Sequence, residues 1–127
     1  MRTMLPEAVV AFVRDHVASV GQLEILLLLR RRAGEDLPPE AVARELAMDP
    51  GWVSREMAQL ASQGLIENSG NGVPAWRWAP RTAALAAGAA AVADAFATHR
   101  VAVVTLVAER PNQRLRVFAD AFRVRKD

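Results

Sequence analysis

VARELAMDPGWVSREMAQLASQGLIE, residues 42–67, predicts two short helices joined by a tight turn. The first helix covers residues 40–47. Asp49-Pro50 then places a good N-cap residue before a proline at the first helical position, where proline is favoured. Residues 53, 57 and 60 of the second helix, 50–63, are apolar at a spacing that buries one face. Gly64 ends this second helix.

Two further helices precede this stretch. The segment from residue 6 to residue 17 has proline in its first turn and valines and phenylalanine on one side, which is typical of an amphipathic helix. Ser19 is a candidate N-cap for the next helix, residues 20–32, and Gln22 follows it in capping-box spacing. Because residues 23–29 are apolar on nearly every side, we expect this helix to be the most buried element.

A β-hairpin is predicted after the second short helix. Residues 65–67 and 75–78 are β-prone and flank the turn-forming sequence NSGNGVP. Trp76 and Trp78 lie two residues apart, so they share one strand face, and Arg77 faces the opposite way. The predicted fold class is therefore mainly α with a small β-hairpin.

The C-terminal third predicts a long alanine-rich helix that begins after Thr82. Steps of four and three residues along it produce an apolar seam, in which His99 is expected to be an interface or core residue. The seam consists of Leu85, Ala89, Val92, Phe96, His99, Val103 and Leu106. It favours a dimer interface over folding back onto the N-terminal helices. Residues 101–107 are apolar and rich in β-branched side chains, so a buried strand is an alternative there. A last, Arg-rich helix is expected over residues 112–125.

Composition excludes several classes of function. The chain has 127 residues, 52% hydrophobic, and no cysteine, so it has no disulfide, thiol nucleophile or cysteine-based zinc site. His16 and His99 are far apart, and no nucleophile-elbow motif is present. We therefore expect no enzymatic activity, no cofactor and no metal. Apolar runs are too short or too alanine-rich for a membrane span, and the N-terminus does not resemble a signal peptide, so a cytoplasmic protein is expected.

The stretch over residues 42–67 resembles the helix-turn-helix of MarR-like and related bacterial winged-helix transcription regulators. The matching positions are Leu46-Ala47, Asp49-Pro50, Val53-Ser54-Arg55, Leu60 and Gly64-Leu65-Ile66. The resemblance covers residues 23–80. It implies a winged helix-turn-helix domain over residues 1–81 that binds double-stranded DNA. The region 82–127 would then pack on that domain and form a homodimer through residues 82–110, as terminal helices do in MarR-like and PadR-like regulators.

The outward face of the second helix would carry the DNA contacts. Arg55 can pair with guanine and Gln59 with adenine, while Ser54 near the helix N-terminus suits a phosphate. In the hairpin, Asn68, Ser69, Asn71 and Arg77 could touch the backbone or the minor groove. Trp52 could cover a phosphate–sugar contact, although packing beneath the hairpin is the favoured interpretation. The DNA-binding prediction therefore comprises Trp52, Ser54, Arg55, Gln59, Asn71 and Arg77.

Charge leaves a second class of function open. Residues 1–50 hold six arginines against eight acids, and the hairpin tip SGNG lacks the cations common in wings that enter the minor groove. The alternative is a winged-helix adaptor that binds another protein. A third hypothesis is a regulator that responds to a small-molecule effector. A DNA-binding protein should gather its cations on one side, whereas acids such as Glu56 and Glu67 there would favour the adaptor. These cations are Arg30, Arg31, Arg32, Arg55, Arg77 and Arg81.

Overall fold

A computed structural model describes residues 5–109, which form six helices and a two-stranded antiparallel sheet. The helices are α1 (Glu7–His16), α2 (Val20–Arg31), α3 (Pro39–Leu46), α4 (Pro50–Ser62), α5 (Ala83–Thr98) and α6 (Arg100–Ala108). The strands are β1 (Ile66–Asn68) and β2 (Trp76–Trp78). The predicted α-rich fold with a β-hairpin is confirmed. The predicted helix over residues 112–125 lies outside the described residues.

Three helices begin at side chains that the sequence marks as caps. Ser19 Oγ accepts a hydrogen bond from the backbone N–H of Gln22 at 3.1 Å, which starts α2. Asp49 and Thr82 do the same for α4 and α5. The side chain of Gln22 is 1% exposed, and its Oε1 accepts from the N–H of Ala18 at 2.7 Å. This bond satisfies a polar group that would otherwise be costly to bury.

Helix α2 is the centre of the hydrophobic core, as its sequence predicts. Residues 25–29 are all buried, because every side of this part of α2 meets another element. The predicted inward residues of α4, Val53, Met57 and Leu60, are each 0% exposed. Helix α5 packs on α1, and α6 packs on α1 and α2. The regions 1–81 and 82–127 therefore share one continuous core where they are described.

The hairpin is tied to the segment between α2 and α3. Strands β1 and β2 pair so that Glu67 lies opposite Arg77. Leu37 adds an isolated bridge to β2: its N–H and C=O exchange hydrogen bonds with the backbone of Trp76, both at 2.9 Å. Trp76 and Trp78 are half-buried against the core, on the strand face that the sequence predicts.

The expectation of one long C-terminal helix is wrong. Helices α5 and α6 meet at His99 with a bend of 119°. His99 is exposed, so it is not a core residue of its own chain, whereas its place in a dimer interface stays a prediction. Residues 101–107 are helical, so the strand alternative is also wrong. The bend lets α6 cover α1 and α2, and Ala89, Val92 and Val103 of the seam are buried inside the chain's own core.

No single helix within residues 5–109 is long and apolar enough to cross a membrane. The bent pair α5–α6 passes the same length and composition test only when its two helices are taken together.

Candidate nucleic-acid interface

The turn between α3 and α4 fixes where α4 begins. Ala47 adopts the left-handed conformation (φ 57°, ψ 50°), which reverses the chain directly after α3. The N–H of Met48 donates to the carbonyl of Ala43 at 2.9 Å, and Asp49 then caps α4. The connection between α3 and α4 consists only of residues 47–49, so the first turn of α4 lies close to the end of α3. The hydrogen bond of Met48 fixes one end of this connection and the Asp49 cap fixes the other.

The face of α4 opposite the core is polar and open to solvent. Three of the residues predicted to bind DNA, Ser54, Arg55 and Gln59, are exposed on it. Arg55 reaches back toward the start of the helix, since a β carbon built on Gly51 would lie 3.7 Å from its terminal nitrogen Nη1. Small residues flank these side chains and leave them accessible: Gly51, Ala58 and Ser62 are also exposed.

Trp52 belongs to the packing between α4 and α2. Its indole is half-buried, and its Cη2 atom would lie 2.7 Å from a β carbon on Gly21 of α2. The backbone N–H of Trp52 donates to Asp49 Oδ2 at 2.8 Å. The geometry therefore agrees with the packing interpretation of Trp52, although its partner is α2 rather than the underside of the hairpin.

Arg77 is held by an acidic residue from outside the hairpin. Asp36 Oδ1 accepts from Arg77 Nε at 2.9 Å and from Ser69 Oγ at 2.6 Å. The hydrogen bond from Ser69 lowers the pKa of Asp36 from its ordinary value of 3.8, and the hydrogen bond and charge of Arg77 lower it further, against partial loss of solvent. Glu67 faces Arg77 across the strand pair. Asp36 therefore contacts the guanidinium, and Glu67 is the cross-strand neighbour of Arg77.

Sequence reasoning named Ser69 as a possible DNA contact of the hairpin, but it missed Asp36 and the hydrogen bond between the two. Asp36 lies 33 residues from Ser69 and 41 from Arg77 along the chain, so no local motif connects them. The bridge between Leu37 and Trp76 brings the three together, and only a prediction of that pairing could have found them.

Asn71 lies in the exposed loop between β1 and β2. The backbone of this loop is shaped by Asn68, whose Oδ1 accepts from the N–H of Gly70 at 3.0 Å. Gly72 has φ +83°, a conformation that glycine adopts without strain. Asn71 is thus accessible, but its position is set by the loop rather than by α4.

Two of the six cations that were expected to gather on one side are paired with acidic residues. Arg32 forms an ion pair of 2.6 Å with Glu45, and Arg77 pairs with Asp36. Arg81 lies beside Gly64 at the end of α4, and Arg55 stands on its exposed face. Over residues 5–109 there are nine arginines and twelve acidic residues. Helix α4 itself carries one arginine, Arg55, and one glutamate, Glu56, so its own charges balance. The described residues as a whole are acidic.

Within residues 5–109, no group of three or more His, Asp or Glu side chains is placed to hold a metal ion. No protein-family model, curated protein or solved structure matches this chain.

Proposed function

We propose that this protein is a winged-helix transcription regulator that binds double-stranded DNA through α4. In this arrangement α3 and α4 form the helix-turn-helix, the β1–β2 hairpin is the wing, and Leu37 supplies a short third strand beside it. The observation that carries the proposal is the exposed polar face of α4, on which Ser54, Arg55 and Gln59 stand together behind a tight turn.

The dimensions and chemistry of α4 suit the major groove. That groove is about 12 Å wide, which accommodates a helix with its side chains. Arg55 can donate two parallel hydrogen bonds to O6 and N7 of guanine, and Gln59 can pair with adenine one turn further along the helix. Ser54 can donate to a phosphate that approaches the first turn, where the helix dipole favours negative charge.

Arg77 is the proposed phosphate contact of the wing. A guanidinium has five N–H donors, of which Asp36 receives the one on Nε. Asp36 and Ser69 would fix the orientation of the side chain, so that a terminal N–H can reach the DNA backbone. The cross-strand neighbour Glu67 limits the net attraction, and we expect the wing to position the protein rather than to supply most of the affinity.

A homodimer completes the proposal. A dimer would place two copies of α4 about 34 Å apart, one DNA turn, and would therefore require a pseudo-palindromic site. The exposed large side chain of α6, Val101 at 78%, supports an interface in the region 82–110. Ala89 and Val92 are already buried within the chain, so they would not contribute to it.

A selection from a random duplex library tests the proposal. We expect the wild-type chain to enrich a sequence with two related half-sites and to lose affinity steeply as salt is raised. Absence of enrichment together with absence of binding at low salt would contradict it.

The second candidate is an adaptor that binds another protein through the same face. It is favoured by the excess of acids over arginines in residues 5–109, by the ion pair of Arg77 with Asp36 and by Glu67 as the cross-strand neighbour of Arg77. The selection separates the two functions, because an adaptor would enrich no duplex sequence.

A further inference from the structure

Two open depressions lie along the surface between α1 and α5. The contacts show that these helices are antiparallel: Leu5 and Pro6 lie near Thr98, whereas His16 lies near Leu85. The depressions have volumes of about 330 and 370 Å³ and lie toward the two ends of this helix pair. Together their lining defines the α1–α5 groove: Leu5, Pro6, Ala8, Ala11, Phe12, Asp15, His16, Ala84, Leu85, Ala87, Gly88, Ala91, Asp94, Ala95, Thr98 and His99.

The floor of the groove is apolar, and its lining also includes two carboxylates. Gly88 allows the two helices to approach, because a β carbon there would lie 2.6 Å from Cδ2 of Phe12. Asp15 lines one depression and Asp94 the other, and neither depression is lined by an arginine or lysine. Both carboxylates are exposed, although Arg14 already contacts Asp15 at 3.4 Å.

The remaining C-terminal sequence has complementary chemistry. Residues 110–127 hold five arginines and one lysine against two aspartates, whereas residues 5–109 have a net charge of −3. At helical spacing, Leu115, Phe118 and Phe122 share one face, and Arg114 and Arg125 flank it. A helix over residues 112–125 would be about 21 Å long, and residues 84–98 of α5, which line the groove, also span about 21 Å.

The described residues end at Glu109, after α6, and α6 packs on α1, one of the two helices that form the groove. A helix that begins at residue 112 leaves residues 110 and 111 as the linker, which spans about 7 Å when extended. Docking within one chain therefore requires the segment to begin next to the end of α6.

We propose that the C-terminal segment, residues 112–125, occupies the α1–α5 groove of its own chain. Leu115, Phe118 and Phe122 insert between the small side chains of the two helices, and the flanking arginines approach Asp15 and Asp94. At one end the groove touches α4, because its lining residue His16 forms a hydrogen bond of 2.7 Å with Gln63, the C-cap of α4. The lining of the two depressions includes no residue of the exposed face of α4. The docked segment covers apolar surface that residues 5–109 leave open.

A paramagnetic label tests the proposal in the full chain. Ala97→Cys introduces the only thiol, at an exposed position on α5 that does not line the groove. We expect the label to broaden the methyl signals of Leu115 and Val117. Sharp methyl signals from both residues would overturn the proposal.

Two matched variants, and a mixture of labelled with unlabelled, isotope-enriched chains, serve as controls for this test. Phe118→Asp should abolish the broadening, whereas Val124→Asp, on the opposite face of the same predicted helix, should preserve it. Equal effects of the two variants would overturn the proposed face. Broadening that also arises between a labelled chain and an unlabelled, isotope-enriched chain would assign the groove to the segment of a second copy, which overturns docking within one chain.

Asp94→Arg tests the groove independently of the segment. It reverses one charge at the rim and should weaken the broadening. Unchanged broadening would overturn the electrostatic part of the proposal.

Discussion

Trp52 and Gly21 form a contact in which a single methyl group matters. Alanine at position 21 would place its β carbon 2.7 Å from Cη2 of Trp52, closer than two carbons can approach. We expect Gly21→Ala to displace the indole and to lower the free energy of unfolding by about 1–3 kcal/mol, the usual cost of overpacking. This loss is measured by urea unfolding, with tryptophan fluorescence as the signal.

The matched control for this substitution is Gly51→Ala, at an exposed helical position where the nearest atom to the added β carbon, Asp49 Oδ2, would lie 3.2 Å away. Its effect on stability should be much smaller. Alanine has the higher helix propensity, so propensity favours both substitutions. Equal losses from the two would therefore show that the contact with Trp52 does not set the cost.

Asp36 should titrate below its ordinary pKa of 3.8, because Ser69 and Arg77 donate hydrogen bonds to its ionised form. A lowered pKa in the folded state means that the contribution of Asp36 to stability is present above the ordinary pKa. It is lost as the pH falls through the lowered value. An NMR titration of the carboxyl carbon checks the direction.

Ser69→Ala removes the larger cause and should move the pKa of Asp36 upward. Arg77→Ala should move it in the same direction. A pKa that neither substitution raises would contradict the role of both donors.

At the residue scale, helix caps could be predicted from neighbouring residues, whereas contacts between segments distant in the sequence could not. Ser19, Asp49 and Thr82 are caps that a few neighbouring residues identify, and the structure confirms each one. The partner of Arg77 depends on which segment crosses β2, so it could not be predicted. The exposure of His99 within its own chain could not be predicted either, because it depends on a bend rather than on the sequence neighbours of His99.

At the scale of elements, the first turn of α4 depends on one cap. Asp49→Ala removes the acceptor for the N–H of Trp52 and should cost about 1 kcal/mol of stability. Because Ser54 and Arg55 follow within two turns, we also expect weaker DNA binding. Thermal unfolding and a binding titration measure the two effects.

Asp49→Asn keeps a side-chain acceptor and should restore most of both properties. If Asp49→Asn were as damaging as Asp49→Ala, the carboxylate charge rather than the cap would explain the loss.

Helices α1 to α4 follow from the periodicity and punctuation of the sequence, whereas the break between α5 and α6 does not. No proline or glycine occurs between residues 89 and 108, so the pattern predicts one continuous helix. The bend at His99 arises from packing: α6 turns to lie on α1 and α2. Tertiary contacts of this kind override local propensity.

At the scale of the whole molecule, the account predicts association of two chains through the region 82–110. Val101 is 78% exposed on α6, so Val101→Asp should shift the protein toward the monomer of 13.8 kDa. Sedimentation at several concentrations measures the shift. Val73→Asp is the control, since Val73 is similarly exposed, at 68%, but lies in the hairpin loop. Wild-type chains that remain monomeric at every concentration would contradict the dimer.

The central claim, that α4 reads DNA, is tested most directly by comparing Arg55→Ala with Arg14→Ala in the duplex selection. Both substitutions remove one positive charge, but Arg14 lies on α1, where it contacts Asp15 at 3.4 Å. We expect Arg55→Ala to cost about 1–3 kcal/mol of binding and to relax the preference at one base pair. Arg14→Ala should retain the full preference. An enriched sequence that both variants recognise with unchanged preference, or no enrichment by the wild type, would contradict the claim.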